Sequence, residues 1–366
     1  MFTSNRTTIP PAPHIVAASA TLTGILADKL VERGHDVTLY AAQGSRSKAR
    51  IVDLGLPPTE LDYALVKEEW VKNLNQGMKQ VYISALYKEA KQYDVLHLQT
   101  EPVYLGMHFA ALTDTPTVFT NHNVFISQEE QILKHYNQPI ITISQYQRTV
   151  IPDLNYVATV YNGVDTKVYP QDGMGEGEYM LFLGRLVDVK GVRQAIEVAK
   201  RVKRKLIIAG KGTDEYIKDA ILPHIGEYVE FRGHVERETT EWFQLYSQAK
   251  LFLAPIQWEE PFGLVFIESM ACGTPVVAFS RGAVPEIVKD GETGYVVNSS
   301  LTDKRGEYQV KGVQLDGIIE AVERVYSLSP DAYQQMRTAS RAHVASTFTL
   351  EKMVDGYETP YRKIAG

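Results

Sequence analysis

The chain has almost no cysteine: Cys272 is the only one in 366 residues. No disulfide can close within the chain, and no cysteine-rich metal site can be assembled. No apolar run approaches the roughly 18 residues that a bilayer-spanning helix needs. The stretch from Met1 to Arg6 has no apolar core followed by a small-residue cleavage site, the mark of a secretory leader. Excess positive charge is missing too. The formal net charge is −6, so no global field favours nucleic acid. Low-complexity tracts and short-period repeats are absent, and no Asp-x-Asp pair stands at the ligand end of a strand candidate. The expectation is a cytoplasmic globular protein with no membrane segment, no nucleic-acid partner, and no required metal or cofactor. Oligomeric state leaves no trace in the pattern.

What is present is an ordinary core-forming composition, 44% hydrophobic and 22% charged. At roughly 100–200 residues per domain, the length suggests two domains. Short apolar runs alternate with helix-length amphipathic stretches nearly throughout, the signature of parallel βαβ units. Strands are predicted at 36–41, 94–98, 117–120, 140–144 and 156–161. A second set is predicted at 179–183, 205–209, 228–232, 251–254, 275–279 and 294–297. Helix-length segments include 20–34, 192–203 and 239–249. The two halves share this grammar, so two doubly wound α/β domains are expected, 1–163 and 164–349. The boundary turn is Asn162-Gly163-Val164-Asp165, and a last helix starts at 350. Only Met1 to Thr3 precede the first polar turn. Either the first strand is very short, or residues have been lost from the natural start. Trp70, Leu74, Val81 and Ala85 in the segment 70–92 are expected to form a buried face. The basic run Lys200 to Lys205 precedes a strand and is expected to be a solvated surface.

In open α/β sheets, ligands collect outside the carboxyl ends of the strands. The segment from Trp258 to Val277 follows one such end. Pro261 and Gly263 open a helix and Gly273 closes it. The free N–H groups at that start, near Phe262, Gly263 and Leu264, suit a diphosphate. Glu268 stands in an otherwise apolar run and needs a partner, either a ribose diol or a nearby Lys or Arg. Glu260 either reaches a sugar hydroxyl or is a solvated loop residue. Gly184-Arg185-Leu186 follows a strand, and Arg185 and Lys190 on a turn entering a helix suit either a diphosphate or the open surface. Gly210-Lys211-Gly212 is a partial dinucleotide fingerprint without its third glycine. In the first half, His122 closes a strand, as do Ser144 and the group Gln99-Thr100-Glu101, while His97 inside its strand is expected to be packed.

Several of these segments, in order, resemble family 4 of the retaining glycosyltransferases. Glu260 to Glu268 matches the Glu-x7-Glu motif, and Met270-Ala271-Cys272-Gly273-Thr274-Pro275 follows it as in that family. Pro285-Glu286-Ile287-Val288, the Asp290-Gly291-Glu292-Thr293-Gly294 run, Gly184-Arg185-Leu186 with Lys190-Gly191, and Asn162-Gly163-Val164-Asp165 complete the set. The resemblance implies the GT-B fold, two Rossmann-like domains facing each other across a cleft, with the helix 350–366 crossing back to the first domain. It implies a nucleoside diphosphate sugar as donor, UDP-glucose by prevalence, and a hydroxyl acceptor. It implies catalytic roles for His122, Arg185, Lys190 and Glu260. Gly184, Gly210, Gly212, His234, Val235, Phe262, Gly263, Leu264 and Glu268 would bind the donor. His14, Glu101 and Ser144 would lie on the acceptor side. The chain departs from the family in its first loop, where Pro10-Pro11-Ala12-Pro13-His14 replaces a Gly-Gly pair and removes N–H donors. Three other readings compete: a sugar-nucleotide epimerase of the same fold, an NAD-dependent oxidoreductase, and a non-catalytic nucleotide-sugar binding protein.

Overall fold

The computed structural model describes residues 1–12, 15, 17–59, 69–170 and 178–366, apart from the side chain at 72. The chain divides into two compact units, one of Met1–Asn162 with Glu351–Gly366, the other Gly163–Leu350.

The first unit is built on β1 (Thr38–Tyr40), β2 (Arg50–Val52), β3 (Leu96–Leu98), β4 (Thr117–Asn121), β5 (Ile140–Thr142) and β6 (Tyr156–Thr159). β1 pairs with β2, and β3 to β6 pair in sequence, all parallel. Phe2 joins the two groups, bridging Tyr40 on one side and Leu98 on the other. The spatial order is therefore β2, β1, Phe2, β3, β4, β5, β6. The first strand is thus a single bridging residue. It is still fixed by four backbone bonds: Phe2 donates to His97 and accepts from Gln99, Tyr40 donates to Met1, and the terminal amine donates to Thr38. β2 has no counterpart among the predicted strands. Three residues with an exposed Arg50 make too short a run to show a period.

The second unit holds β7 (Tyr179–Arg185), β8 (Leu206–Lys211), β9 (Val229–Gly233), β10 (Ala249–Ala254), β11 (Val276–Phe279) and β12 (Gly294–Val297). Its parallel sheet runs β12, β11, β10, β7, β8, β9. Met180, Phe182, Leu206, Ile208, Leu251, Leu253, Val277 and Val297 carry its core. A continuous apolar run with little alternation is what a strand covered on both faces requires. The flanking helices begin where side-chain oxygens can cap them: Thr213 accepts from Tyr216 N, Thr239 from Trp242 N and Ser329 from Ala332 N. Helix Val192–Val202 turns Val192, Ala195, Ile196, Val198 and Ala199 inward. The basic run that follows lies on the surface, with Arg201 on Asp316, Lys205 on Glu230 and Arg204 over the Tyr326 ring.

Two expectations need correction. Helix Glu69–Lys88 does not bury the face named above: Trp70, Leu74 and Val81 are 68%, 58% and 47% exposed. The face that packs carries Asn75, Lys79, Tyr82, Ile83 and Leu86 instead. Over its first turns polar Asn75 and Lys79 lie inside and apolar Trp70 and Leu74 outside, which inverts the usual signal. Secondly, Gly184, Arg185, Gly210 and Lys211 do not follow their strands but are the last residues of β7 and β8, paired Gly184 with Gly210 and Arg185 with Lys211. Among the described residues, no helix is long and apolar enough to cross a membrane.

His97 ties the first unit together. Its Nε2 lies 2.7 Å from Thr120 Oγ1, and its Nδ1 lies 2.6 Å from the hydroxyl of Tyr361 in helix Leu350–Ala365. Burial pushes its pKa well below 6.5, with the positive chain terminus and His122 adding to the effect. A folded state that refuses a proton loses stability wherever the unfolded chain accepts one. Unfolding free energy should therefore fall as the pH drops below 6.5. His97→Gln, which cannot titrate, should flatten that decline. Urea midpoints at several pH values for both proteins measure it.

Candidate active site

In the second sheet the chain runs from β7 through β8 to β9 on one side, then from β10 through β11 to β12 on the other. The order reverses between β7 and β10, the place where an open α/β sheet leaves a crevice at its carboxyl edge. Arg185 ends β7, and the loop carrying Glu260 follows β10. Both motif segments therefore converge on one switch point.

The backbone holds them there tightly. The short 3-10 turn Asp188–Lys190 ends on Gly191, at φ 84°. A Cβ at Gly191 would lie 2.0 Å from the carbonyl oxygen of Pro255, so only glycine permits the approach. Gln257 N donates to Val189 O at 2.8 Å and locks the turn against the loop after β10. The result is an ion pair between Lys190 Nζ and Glu260 Oε2 at 2.6 Å, with both side chains mostly buried. Trp258 completes the group. Its indole N–H donates to Glu260 Oε2 at 2.9 Å, and its ring lies 4.5 Å from Lys190 Nζ, within cation–π range. Behind it, Glu259 accepts from Gly282 N at 2.6 Å and pairs with Arg281 and Arg305. Ala283 N donates to Glu260 O.

The helix predicted to begin at Gly263 spans Leu264–Ala271, with Gly263 as its cap at φ 94° and no side-chain capping bond. Its first N–H groups are thus left for another acceptor. Phe262 is buried, with its ring edge-on to Phe348 at 5.8 Å. Glu268 is buried on this helix. Arg237 donates to its Oε1 from Nε at 3.0 Å and Nη2 at 2.8 Å, and the Tyr246 hydroxyl donates to Oε2 at 3.2 Å. Of the two partners open to Glu268 from sequence, the structure supplies the cation. With two N–H bonds on Oε1 and one O–H bond on Oε2, the carboxylate keeps an acceptor site on Oε2 for a further hydroxyl.

Arg185 is half-buried and forms no ion pair among the described residues, unlike Lys190. Lys190 thus enters the site already paired with Glu260. Gly212 follows β8, His234 is exposed beyond β9, and Val235 beside it is buried. Trp258, Arg237 and Tyr246 are absent from the sequence-level site. Trp258 borders the Glu-x7-Glu motif, a usable signal. Arg237 and Tyr246 carry none, because they reach Glu268 only through folding.

In the first unit, His122 follows β4 directly. Its Nε2 lies 2.7 Å from Gln99 Oε1. An amide oxygen only accepts, so Nε2 carries the proton and Nδ1 is left as an acceptor. Burial lowers its pKa to about 4, against a smaller opposite pull from Glu101, so the ring is neutral at pH 7. Ser144 caps helix Gln145–Val150 by position, yet its buried hydroxyl has no partner. Glu101 is half-buried beyond β3. His14 lies outside the described residues. His97 is packed, as expected.

The tightness of the Lys190 and Glu260 pair is measurable. A double-mutant cycle with Lys190→Met and Glu260→Gln should return a coupling of about 0.5–3 kcal/mol in urea denaturation. Coupling near zero would mean that the pair does not form in solution.

Two family models match the chain, "Glycosyl transferases group 1" over residues 171–307 and "Glycosyltransferase Family 4" over residues 19–168. A putative glycosyltransferase, YtcC, of Bacillus subtilis is 24% identical over 78% of this chain and 77% of its own. Alpha-maltose-1-phosphate synthase of Mycobacterium tuberculosis is 27% identical over 74% of this chain and 79% of its own. Among solved structures, sucrose-phosphate synthase from Thermosynechococcus elongatus superposes with a TM-score of 0.76 at 19% identity, covering 99% of this chain and 98% of that one. Anabaena HepE in complex with UDP-glucose gives 0.68 at 16% identity, covering 100% and 98%. These matches agree with the parallel sheets and the ordered motifs: the chain belongs to the family 4 glycosyltransferases of GT-B fold, enzymes that draw their sugar from a nucleotide sugar.

Proposed function

We propose that the chain moves a glucose-like or mannose-like hexose from a UDP-linked donor to a hydroxyl acceptor, with retention of the anomeric configuration and without a metal ion. The observation that carries this reading is the group at the switch point of the second sheet. There Arg185, which forms no ion pair among the described residues, converges with the Lys190–Glu260 pair and the helix start after Gly263. Anabaena HepE, similar in fold, is known in complex with UDP and with UDP-glucose.

In this reading Arg185, Lys190 and the helix N-terminus meet the diphosphate. As the bond from the anomeric carbon to the diphosphate oxygen breaks, negative charge builds on that oxygen. Preorganised positive groups then supply the largest catalytic term. Glu260, held by Lys190 and Trp258, orients the sugar hydroxyls. Glu268, held by Arg237 and Tyr246, accepts from a ribose hydroxyl. Gly184, Gly210, Gly212, His234 and Val235 line the donor mainly through backbone. The acceptor oxygen bonds to the anomeric carbon from the face the diphosphate leaves, and its proton passes to the departing phosphate oxygen. His122, neutral at pH 7, touches the transferred sugar through a hydrogen bond rather than a charge. Ser144 and Glu101 stand on the acceptor side. The two cations and the helix N-terminus take the charge that a metal would otherwise take.

UDP at about 100 times its dissociation constant should stabilise the chain by roughly 2.7 kcal/mol, visible as a thermal shift. Glu268→Ala should weaken UDP at least tenfold, and unchanged affinity would sink the ribose assignment. With UDP-glucose and an acceptor panel, proton NMR of the product should show the donor's anomeric configuration, at a rate that EDTA does not alter. Inversion, or loss of rate with EDTA, would refute that part. An isomerised nucleotide sugar formed without acceptor would favour the epimerase reading. Binding without any turnover would favour a non-catalytic protein.

A further inference from the structure

The loops that leave the carboxyl ends of β10, β11 and β12 are neighbours, because these strands are adjacent in the second sheet. Glu259 lies on the first loop, Arg281 on the second, and Asp303 and Arg305 on the third. The four form one network of charges. Arg305 Nη1 and Nη2 donate to Oε2 and Oε1 of Glu259 at 2.5 and 2.8 Å. Its Nε and Nη2 donate to the two carboxylate oxygens of Asp303 at 2.9 and 3.0 Å. Arg281 Nη1 adds contacts of 3.1 Å to Glu259 and 3.3 Å to Asp303. Burial alone would raise the Glu259 pKa, but the bonds from Arg305 and Arg281 hold it below the usual carboxylate range.

Glu259 is the chain neighbour of Glu260, and the same loops grip both. Gly282 N donates to Glu259 Oε2 at 2.6 Å, and Ala283 N donates to Glu260 O at 2.8 Å. At Gly282 φ is 58°, and a Cβ would lie 2.1 Å from Glu260 O. The turn after β11 therefore lies directly against that peptide. The third loop is tied down in the same way. Asn298, buried beyond β12, accepts from Arg305 N at 2.8 Å and donates to Gly306 O at 3.0 Å. Partly buried charges of this kind add little stability, because pairing mainly offsets desolvation. What a guanidinium does supply is geometry, since its planar fork fixes the carboxylates that it holds. All three Arg305 nitrogens are already committed to carboxylates. Its effect must pass through them.

We infer that Arg305 is a positioning residue, which through Glu259 fixes Glu260 against the transferred sugar and leaves the nucleotide untouched. The inference rests on the sugar role given to Glu260 in the transferase reading above. Lys190 and Trp258 hold the Glu260 carboxylate. Gly282 and Ala283 hold its backbone, and Arg305 holds its neighbour. Glu268, read as the ribose partner, belongs to a separate set with Arg237 and Tyr246. Loss of Arg305 should therefore separate sugar from nucleotide.

The test compares UDP with UDP-glucose on the full chain. Binding is read by isothermal titration, and hydrolysis of UDP-glucose to UDP and glucose is followed by NMR. Arg305→Gln should keep the UDP dissociation constant within about twofold, weaken UDP-glucose at least about fivefold and slow hydrolysis at least about tenfold. Arg305→Lys keeps the charge without the fork and should fall between, and it carries the test if Arg305→Gln does not fold. In a Glu260→Gln background the positioned group is already altered, so Arg305→Gln should cost less than about a further threefold. Unchanged UDP-glucose binding and hydrolysis in Arg305→Gln, or a second full loss in the Glu260→Gln background, overturns the inference. Parallel loss of UDP binding also overturns it, because the substitution would then disturb the whole donor site. If Glu260→Gln by itself changes neither binding nor hydrolysis of UDP-glucose, the sugar role of Glu260 in the transferase reading is what fails.

Discussion

Both units depend on one constraint, the burial of a parallel sheet on its two faces. Every backbone group inside such a sheet must be paired, and nearly every side chain there must be apolar. Polar chemistry is thereby driven to the carboxyl edge. Reversal of strand order then opens that edge at one place in each unit. In the second unit this lies between β7 and β10, and in the first between Phe2 and β3. Arg185, Lys190 and Glu260 gather at one, and Asn5, Lys79 and Gln99 at the other.

The candidate donor groups are held by one another. Lys190, Trp258 and Glu260 form a closed set, as do Arg237, Tyr246 and Glu268. Mutual pairing of this kind offsets the cost of holding charges in partial burial. It also keeps each carboxylate oriented before a ligand arrives, which lowers reorganisation when charge develops in a reaction. The first unit follows another rule. Its groups are buried with valences left open, at Asn5, Thr7 and Gln76. Preorganised ion pairs suit a donor whose diphosphate is constant.

Much of this was legible in the chain itself. Short runs of four to six residues, rich in apolar side chains, marked eleven of the strands because fully buried strands need no alternation. The segment from Glu260 to Thr274 revealed its helix through Gly263 and Gly273, since both ends demand backbone freedom. The failures have equally physical causes. β2 was too short to show a period. In helix Glu69–Lys88 the apolar residues Trp70, Leu74 and Val81 point outward, so a rule that assigns apolar residues to the core placed the wrong face inside. Strand ends at Arg185 and Lys211 ran beyond the apolar run, because ladder hydrogen bonds continue where side chains no longer need burial.

Local order was thus determined by the sequence alone: where strands and helices begin, which residues stand at strand ends, and which motifs could meet a nucleotide sugar. Burial and turn chemistry act over a few neighbours, and neighbours are what a sequence displays. Partnership was decided only by tertiary structure. Glu268 had a diol or a cation open to it, and the fold placed Arg237, 31 positions away, beside it. Lys190 met Glu260 across 70 positions, and Lys79 met the backbone of Glu101 across 22. Electrostatic and hydrogen-bonding choices are made between groups that only the packing of helices on sheets brings within 3 Å.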